Sequence, residues 1–472
     1  MSLYYPQVGV ILKVTWEDFG KPNPTLNATY DLNIACRTVT VERNDYSEAD
    51  TVKLTFDYKA FPFDPRCIRA CGISVFMENV KKVFDGNGIQ VKIVPNDLPI
   101  GTKGANKVFV GFADEAGIKF DDDTRTVSFE GRDFTGLLID IKRINTDPIP
   151  LSKPLDQIIS ELLQEQETTR AIAVVNRTGE ELPTLAKLAG DLDSVTSVKN
   201  QRRRETYWDI IQELLSRVGL LGFIEIDKFI ISKPQNIYEK KKLKQFIYGG
   251  NIKDLSFNRK LGRSKNFNVR VVSFNPLNKS VESAKIPLEA TTPGIAGPEV
   301  TIPQLDKDGK KIDPPKVADY VTFPIKDVVN KEQLIKIGES IYEEMSRQQI
   351  EGSFTTSEML IPEETFDDDG VRVKTSPVDF SSISNGTGIR IYMRQDDLKE
   401  ISSKSTESEK TAFLMRRGYD QKFAKAFASS IDRINTAFYT KSVRFELDQE
   451  NGFSMEIEFI NFIDIDSALK GR

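Results

Sequence analysis

Side chains that commonly carry chemistry are thinly represented in this chain. Its 472 residues include no histidine, so neither a Ser-His or Cys-His nucleophile pair nor an imidazole metal ligand can be assembled from it. Cys67-x3-Cys71 supplies half of a metal site, and Cys36 is the one further thiolate. Structural zinc takes about four Cys or His ligands, so free cysteines are the better reading. An odd number of cysteines also argues against a disulfide scaffold and for a reducing compartment. Asp306-Lys307-Asp308-Gly309 opens like a calcium loop, but that loop needs a further oxygen donor before the glycine and a glutamate beyond it. A solvated turn fits better.

Gly86–Ile89 and Gly219–Phe223 lack both the glycine spacing and the Lys-Ser/Thr pair of a phosphate loop. The 70 acidic residues supply carboxylates enough for a glycosidase pair, yet no apolar pocket signature marks one whose pKa would be raised. Glu130 and Glu351 precede glycines at expected strand ends, where turns also place them. The dense basic clusters are Arg202-Arg203-Arg204 and Lys240-Lys241-Lys242. In a chain of net charge -5 they read as solvated runs. Arg202, Arg203 and Arg204 are candidates for a partner salt bridge rather than for nucleic acid. No catalytic, cofactor or metal site is expected.

The elements that hold these residues are legible from periodicity. The length fits roughly three domains, and 29 phenylalanines against two tryptophans favour sheet-rich cores. Val8, Val10, Leu12, Val14 and Trp16 alternate as in a strand with one buried face, and so do Val52, Leu54, Phe56 and Tyr58. Further strands are expected at Ile73–Glu78, Ile89–Val94, Val108–Phe112 and Arg125–Glu130, an antiparallel barrel or sandwich over residues 1–147. Ser152 then opens a helix with Pro154 in its first turn and Leu155, Ile158, Ile159, Leu162 and Leu163 on one face.

A small α/β domain over 148–243 centres on Glu205–Lys233. Thr206 caps a helix there, with Asp209 completing a capping box. Tyr207, Ile211, Leu214, Leu215 and Val218 share a face, and with Trp208 they are the expected structural core. Gly219 stands where a left-handed C-terminal residue is wanted. The period then changes to 2 through Phe223–Ile226 and Phe229–Ile231, about a turn at Asp227-Lys228. Over 244–472 strands return, with a long irregular insertion at 288–327 and helical segments at 331–349 and 409–436. Asn451-Gly452 marks a hairpin between Val443–Leu447 and Phe453–Phe459. The second β domain matches the first in class, and a duplication is expected from order alone.

Three stretches, ETYWDIIQELLSRVG with its strand pair, VSFEGRDFTGLLIDIK and EGSFTTSEML, resemble the late control protein D family, the baseplate hubs of contractile tails and injection systems. The resemblance implies a mainly β, α+β architecture: two tail-tube-like antiparallel β-barrel domains flanking a small α/β domain. It further implies a homotrimeric structural protein of the virion tail or baseplate, assembled in the host cytoplasm. Its partners would be a tail tube or tube-initiator protein, a separate spike protein and other baseplate proteins, and DNA would pass through the channel without specific binding. The spike is expected on a separate chain because the sequence stops soon after Ile465. The amino terminus lacks a basic segment followed by an apolar run, and no stretch approaches the length of a membrane span. The rival readings are a cell-wall hydrolase at a tail tip, a solitary adhesin-like β protein, and the hub of a bacterial injection system rather than of a phage.

Overall fold

The computed structural model describes residues 2–18, 21–22, 28–31, 36–60, 68–84, 90–94, 107–120, 125–143, 149, 152–184, 205–216, 218–233, 237, 241–248, 250–259, 268–275, 280–286, 304–305, 311–312, 320–325, 331–346, 350–366, 372–393, 406–416, 421, 438–448 and 451–461. Cys67, Arg202 to Arg204, Asp306 to Gly309 and Gly86 to Gln90's preceding residue, Ile89, lie outside them.

Alternating patterns near the amino end become β1 (Ser2–Asp18), β2 (Lys21–Pro22), β3 (Ala28–Asp31), β4 (Cys36–Arg43), β5 (Thr51–Asp57), β6 (Ile68–Phe84), β7 (Gln90–Val94), β8 (Lys107–Phe120) and β9 (Arg125–Asp133). They pair antiparallel in the order β3-β1-β6-β8-β9-β5-β4. Val52, Leu54 and Phe56 point inward against Val127 and Phe129. The strands β8 and β9 approach so closely that a methyl group at Gly131 would collide with the Phe112 carbonyl.

The chain next builds α1 (Phe134–Asp140), α2 (Leu155–Gln164), β10 (Ala173–Asn176), α3 (Tyr207–Ser216), β11 (Leu221–Glu225) and β12 (Lys228–Ser232). β12 pairs antiparallel with β11 and parallel with β10, and the helices cover this sheet with a separate apolar core. Pro154, not Ser152, stands at the start of α2, and Leu155 N–H donates instead to the Pro183 carbonyl at 3.2 Å. A proline there removes a donor that the first turn would leave unmade.

β13 (Lys242–Tyr248) and β14 (Lys253–Arg259) begin the second β unit, which a two-layer insertion then interrupts. The insertion contains β15 (Asn268–Asn275), β16 (Ser280–Ile286), β17 (Gln304–Leu305), β18 (Lys311–Ile312), β19 (Tyr320–Ile325) and α4 (Lys331–Ser346). β15 pairs antiparallel with β16 and parallel with β19, and α4 packs on them through Leu334 and Ile337 against Val271 and Ala284. The stretch 288–327 is therefore not uniformly irregular: its end forms β19, which needs no local partner because β15 supplies one. The second unit resumes with β20 (Ile350–Thr356), β21 (Leu360–Phe366), β22 (Arg372–Asp379), β23 (Gly388–Met393), α5 (Glu407–Arg416), β24 (Phe438–Asp448) and β25 (Gly452–Asn461).

The expectation of two separate antiparallel barrels is corrected. Among the described residues no ladder closes on itself, and both β units belong to one mixed 17-stranded sheet over a shared apolar core. The fusion has a simple cause. β24 pairs with β23 only at Phe438 and Tyr439, so its longer remainder is free, and Val443–Asp448 pairs with β4. β13 also runs parallel to β23.

Within that sheet lies a repeat. The order β4-β5-β9-β8-β6 recurs as β14-β20-β25-β24-β23, with every neighbouring pair antiparallel in both runs and the same order along the chain. Both hairpins carry a one-residue bulge, at Ala113/Glu115 and at Thr440/Ser442. Registers place Gly72 and Ile73 at Gly388 and Ile389. With that guide a residue-level repeat emerges: Gly-Ile-Ser-Val-Phe-Met from Gly72 matches Gly-Ile-Arg-Ile-Tyr-Met from Gly388. Among the described residues no helix is long and apolar enough to cross a membrane.

Candidate functional site at the junction of the units

The β4–β24 pairing brings the end of β4 against the second β unit, and Arg43 occupies that point. The residue is 7 % exposed, and its guanidinium donates to four backbone carbonyls. Nε donates to Val108 O at 3.1 Å and Nη2 to Lys107 O at 3.3 Å, both on β8. Nη1 donates across the joint to Ile383 O at 2.8 Å and Ser381 O at 3.3 Å. The guanidinium also lies 5.6 Å from the Phe445 ring centroid on β24, within cation–π range. Burial pulls its pKa down, while Asp50 and Glu225 pull it back up.

The turn after Arg43 is held from inside and outside. Asn44 N–H donates to Asp50 Oδ1 at 2.9 Å, and Asn44 Nδ2 to Ala49 O at 2.6 Å. From the second unit, Asn385 Nδ2 reaches Asn44 O and Asp45 Oδ1, each at 3.3 Å. Beneath the turn, Asp133 N–H donates to Asp50 O at 3.0 Å. Asp133 caps α1, accepting from Thr135 N at 2.9 Å and Thr135 Oγ1 at 3.0 Å. Because Thr51 is in register with Arg132, Asp50 and Asp133 face each other one step beyond the ladder. Burial pushes Asp50 up to about 6. Burial, with Asp50 adding to it, pushes Asp133 up to about 8.

The α/β unit closes the third side. Lys107 Nζ meets Asp227 Oδ2 at 3.0 Å, in the turn that joins β11 to β12. That turn comprises Ile226 and Asp227, one residue earlier than the sequence indicates. Ile226 adopts φ 60°, a left-handed conformation that costs a β-branched residue about 1–3 kcal/mol. Between the three units lies a cavity of about 400 Å³ lined by Arg43, Asp50, Lys107, Ile226, Asp227 and Asn385, among others.

Chemically this cavity resembles a fastening more than a reaction centre. A carboxyl raised toward neutrality is what a general acid requires, but Asp50 holds Asn44, Asp227 holds Lys107, and Glu225 is ion-paired with Arg177. The second raised carboxyl, Asp133, serves the helix cap. Among the described residues no group of three or more His, Cys, Asp or Glu is placed to hold a metal ion. Burial pushes the Cys36 and Cys71 thiols up to about 12. Glu130 forms an exposed 3.0 Å ion pair with Lys53.

Of the residues singled out by sequence, Tyr207, Trp208, Ile211, Leu214 and Leu215 are buried in the α/β core, with Val218 half-buried against it. The capping box forms reciprocally: Asp209 N–H donates to Thr206 Oγ1 at 3.1 Å and Thr206 N–H to Asp209 Oδ2 at 3.3 Å. Gly219 has φ 68° and sits against the Lys336 carbonyl of α4. Periodicity did not indicate the polar end of Tyr207, which donates to Glu165 Oε2 at 2.9 Å. Arg143 grips that same carboxylate through Nε at 2.9 Å and Nη2 at 2.6 Å. Asp133 was readable as a cap, since Asp-Phe-Thr precedes an apolar run. Arg43 was not, because its carbonyl partners at 381 and 383 lie more than 330 residues away.

No family model and no curated protein matches the chain. Among solved structures it is similar to a tail protein from Neisseria meningitidis MC58, with 14% identity, 97% of this chain and 96% of that one covered, and a TM-score of 0.51. It is also similar to the 43 kDa tail protein of prophage MuSo2 from Shewanella oneidensis, at 13% identity, 96% and 98% coverage and a TM-score of 0.50. At such identities the likeness is one of fold, and it extends over nearly the whole chain.

Proposed function

We propose that this chain is a structural hub subunit of a phage tail or related contractile injection apparatus. Three copies form a ring that joins the tail tube to a separate spike and lines the conduit for DNA or effectors. The observation that carries this reading is the five-stranded repeat inside a fold shared with tail proteins. A threefold assembly that must meet a sixfold tube needs two like units per subunit, and closed rings need the same contact at each step. The repeat supplies two such units, each standing where a tube-like barrel domain would, although neither closes alone. Exposed strand edges left by that openness are sites for pairing with another chain.

On this reading the partners are the tube or tube-initiator protein, the spike and other baseplate proteins, at the virion tail or baseplate after assembly in the host cytoplasm. Arg202, Arg203 and Arg204 remain candidates for partner salt bridges. A net charge of -5 suits a conduit through which DNA slides without being held. The measurement that tests the proposal is the mass of the purified chain across concentration. A species of about 160 kDa, three times the 53.3 kDa chain, is expected at high concentration. A chain that stays monomeric throughout is inconsistent with a ring.

A further inference from the structure

We propose that the open edge of β14 pairs antiparallel with the free half of β8 in a second copy of this chain, repeating between chains the β4–β24 joint found within one. The inference rests on the ring reading and names the contact that would build the ring. Its ground is the internal repeat. β14 holds the place of β4, and β8 holds the place of β24. The β4–β24 pair is made inside the chain; among the described residues no strand pairs with the corresponding edges of β14 and β8.

Registers fix which residues meet. Val41 is in register with Val52, and Val52 with Gly131. In the other run Phe257 is in register with Gly352, and Gly352 with Phe459. Gly131 then meets Ala113, and Phe459 meets Thr440, each at the shared bulge. Phe257 thus stands where Val41 does, and Arg259 where Arg43 does. Beyond the bulge, Val443, Phe445 and Leu447 correspond to Ala116, Ile118 and Phe120. Phe445 lies opposite Val41 in the intramolecular joint, so Phe257 should lie opposite Ile118 of the second copy. Asn258 then faces Gly117, Ser256 faces Lys119, and Leu255 falls beside Phe120.

Exposure follows the same logic. Where the joint is made, Val41, Val443 and Phe445 are fully buried. At the matching positions where it is not, Phe257 is 43% exposed, Ala116 is exposed and Ile118 is half-buried; Phe120, the counterpart of half-buried Leu447, is 61% exposed. Among the described residues β14 has β20 on one side and no strand on the other. β8 leaves β6 after Phe112, while its other side continues with β9 to Phe120. Large apolar side chains on an unpaired edge invite another strand, and the partner of matching shape and register is this chain's own β8. The contact is head-to-tail, so it closes a ring when the rotation per step allows it.

The test is a disulfide cross-link in the assembled full-length chain, with Phe257→Cys and Ile118→Cys combined. Oxidation should give covalent species of two and three chains and none larger. Each single variant controls for the native Cys36, Cys67 and Cys71 and should not cross-link efficiently. Phe257→Cys with Lys119→Cys, which directs the second thiol to the opposite face, should not either. Phe257 is partly exposed and touches Phe438 and Phe459 of its own chain. Phe257→Asp should therefore lower the monomer's melting temperature by a few degrees while leaving it folded, and raise the concentration for half-assembly on the order of tenfold or more. A trimer by mass whose double-cysteine variant fails to cross-link, or whose Phe257→Asp variant assembles like the parent, overturns this strand pairing and leaves the ring reading intact. A chain that is monomeric at every concentration overturns both.

Discussion

Arg43 does with one side chain what an apolar interface does over an area. Its donors are satisfied by carbonyls of both β units, and truncating it would leave those carbonyls buried and unmet, the costly half of a hydrogen bond. The neighbouring carboxylates have the opposite character. Asp50 and Asp133 are raised by burial, and two like charges facing each other across strands repel. A carboxyl whose folded pKa exceeds its unfolded value binds its proton more tightly when folded, so the pair lowers stability once ionised. Stability from this source should rise as pH falls through about 8 and about 6, and level off near the ordinary carboxylate range. Urea unfolding at pH 5.5 and 9 checks this against Asp133→Asn, which caps a helix about as well but cannot ionise. The variant should show a flatter pH dependence; an unchanged slope would remove Asp133 from the explanation. Beyond the capping role of Asp133, none of this was legible in sequence, where Asp50 is one of 70 acidic residues and its half-buried setting is made by chain distant from it.

Elements were far more legible where their signals are local. The α3 helix reads correctly from Thr206 to Gly219 because cap, apolar face and left-handed stop are all within fifteen residues of one another. The β24–β25 hairpin reads correctly for the same reason, with Gly452 at φ 82° in its turn. Pairings between distant strands left no such trace: nothing near Val443 indicates that it will lie beside Arg43, or near Val321 that it will join Val269. Even the Gly72 and Gly388 repeat is six residues long and is visible only once register aligns it. The helical core gives a direct measure of how much this local encoding matters. Leu214 is fully buried among Leu155, Ile159 and Phe229 in the same core, and Leu214→Ala should cost roughly 2–5 kcal/mol, as for other emptied core positions. Chemical unfolding of the variant measures it; a parent-like midpoint would mean that the site collapses without penalty.

At the scale of the whole molecule, the repeat imposes two symmetries of different order on one chain. The five-stranded runs are alike, so three chains present six of them, whereas the α/β unit and the β15–β19 insertion with α4 occur once per chain. Within a chain, the step from one run to the next is the β4–β24 joint. Between chains, the proposed step is the same joint made by β14 and β8. If both joints have the same geometry, successive runs turn by about sixty degrees round the ring axis, as six equal steps in a closed ring require. Electron cryo-microscopy of the assembled particle should therefore show near-sixfold density at the level of the β runs and only threefold density at the level of the α/β units. The two kinds of joint should superpose strand for strand, with Phe257 covered as Val41 is. Threefold density at both levels, with the runs paired tightly within chains and apart between them, would mean that the intramolecular joint is a device of this chain alone and not the unit from which a ring is built.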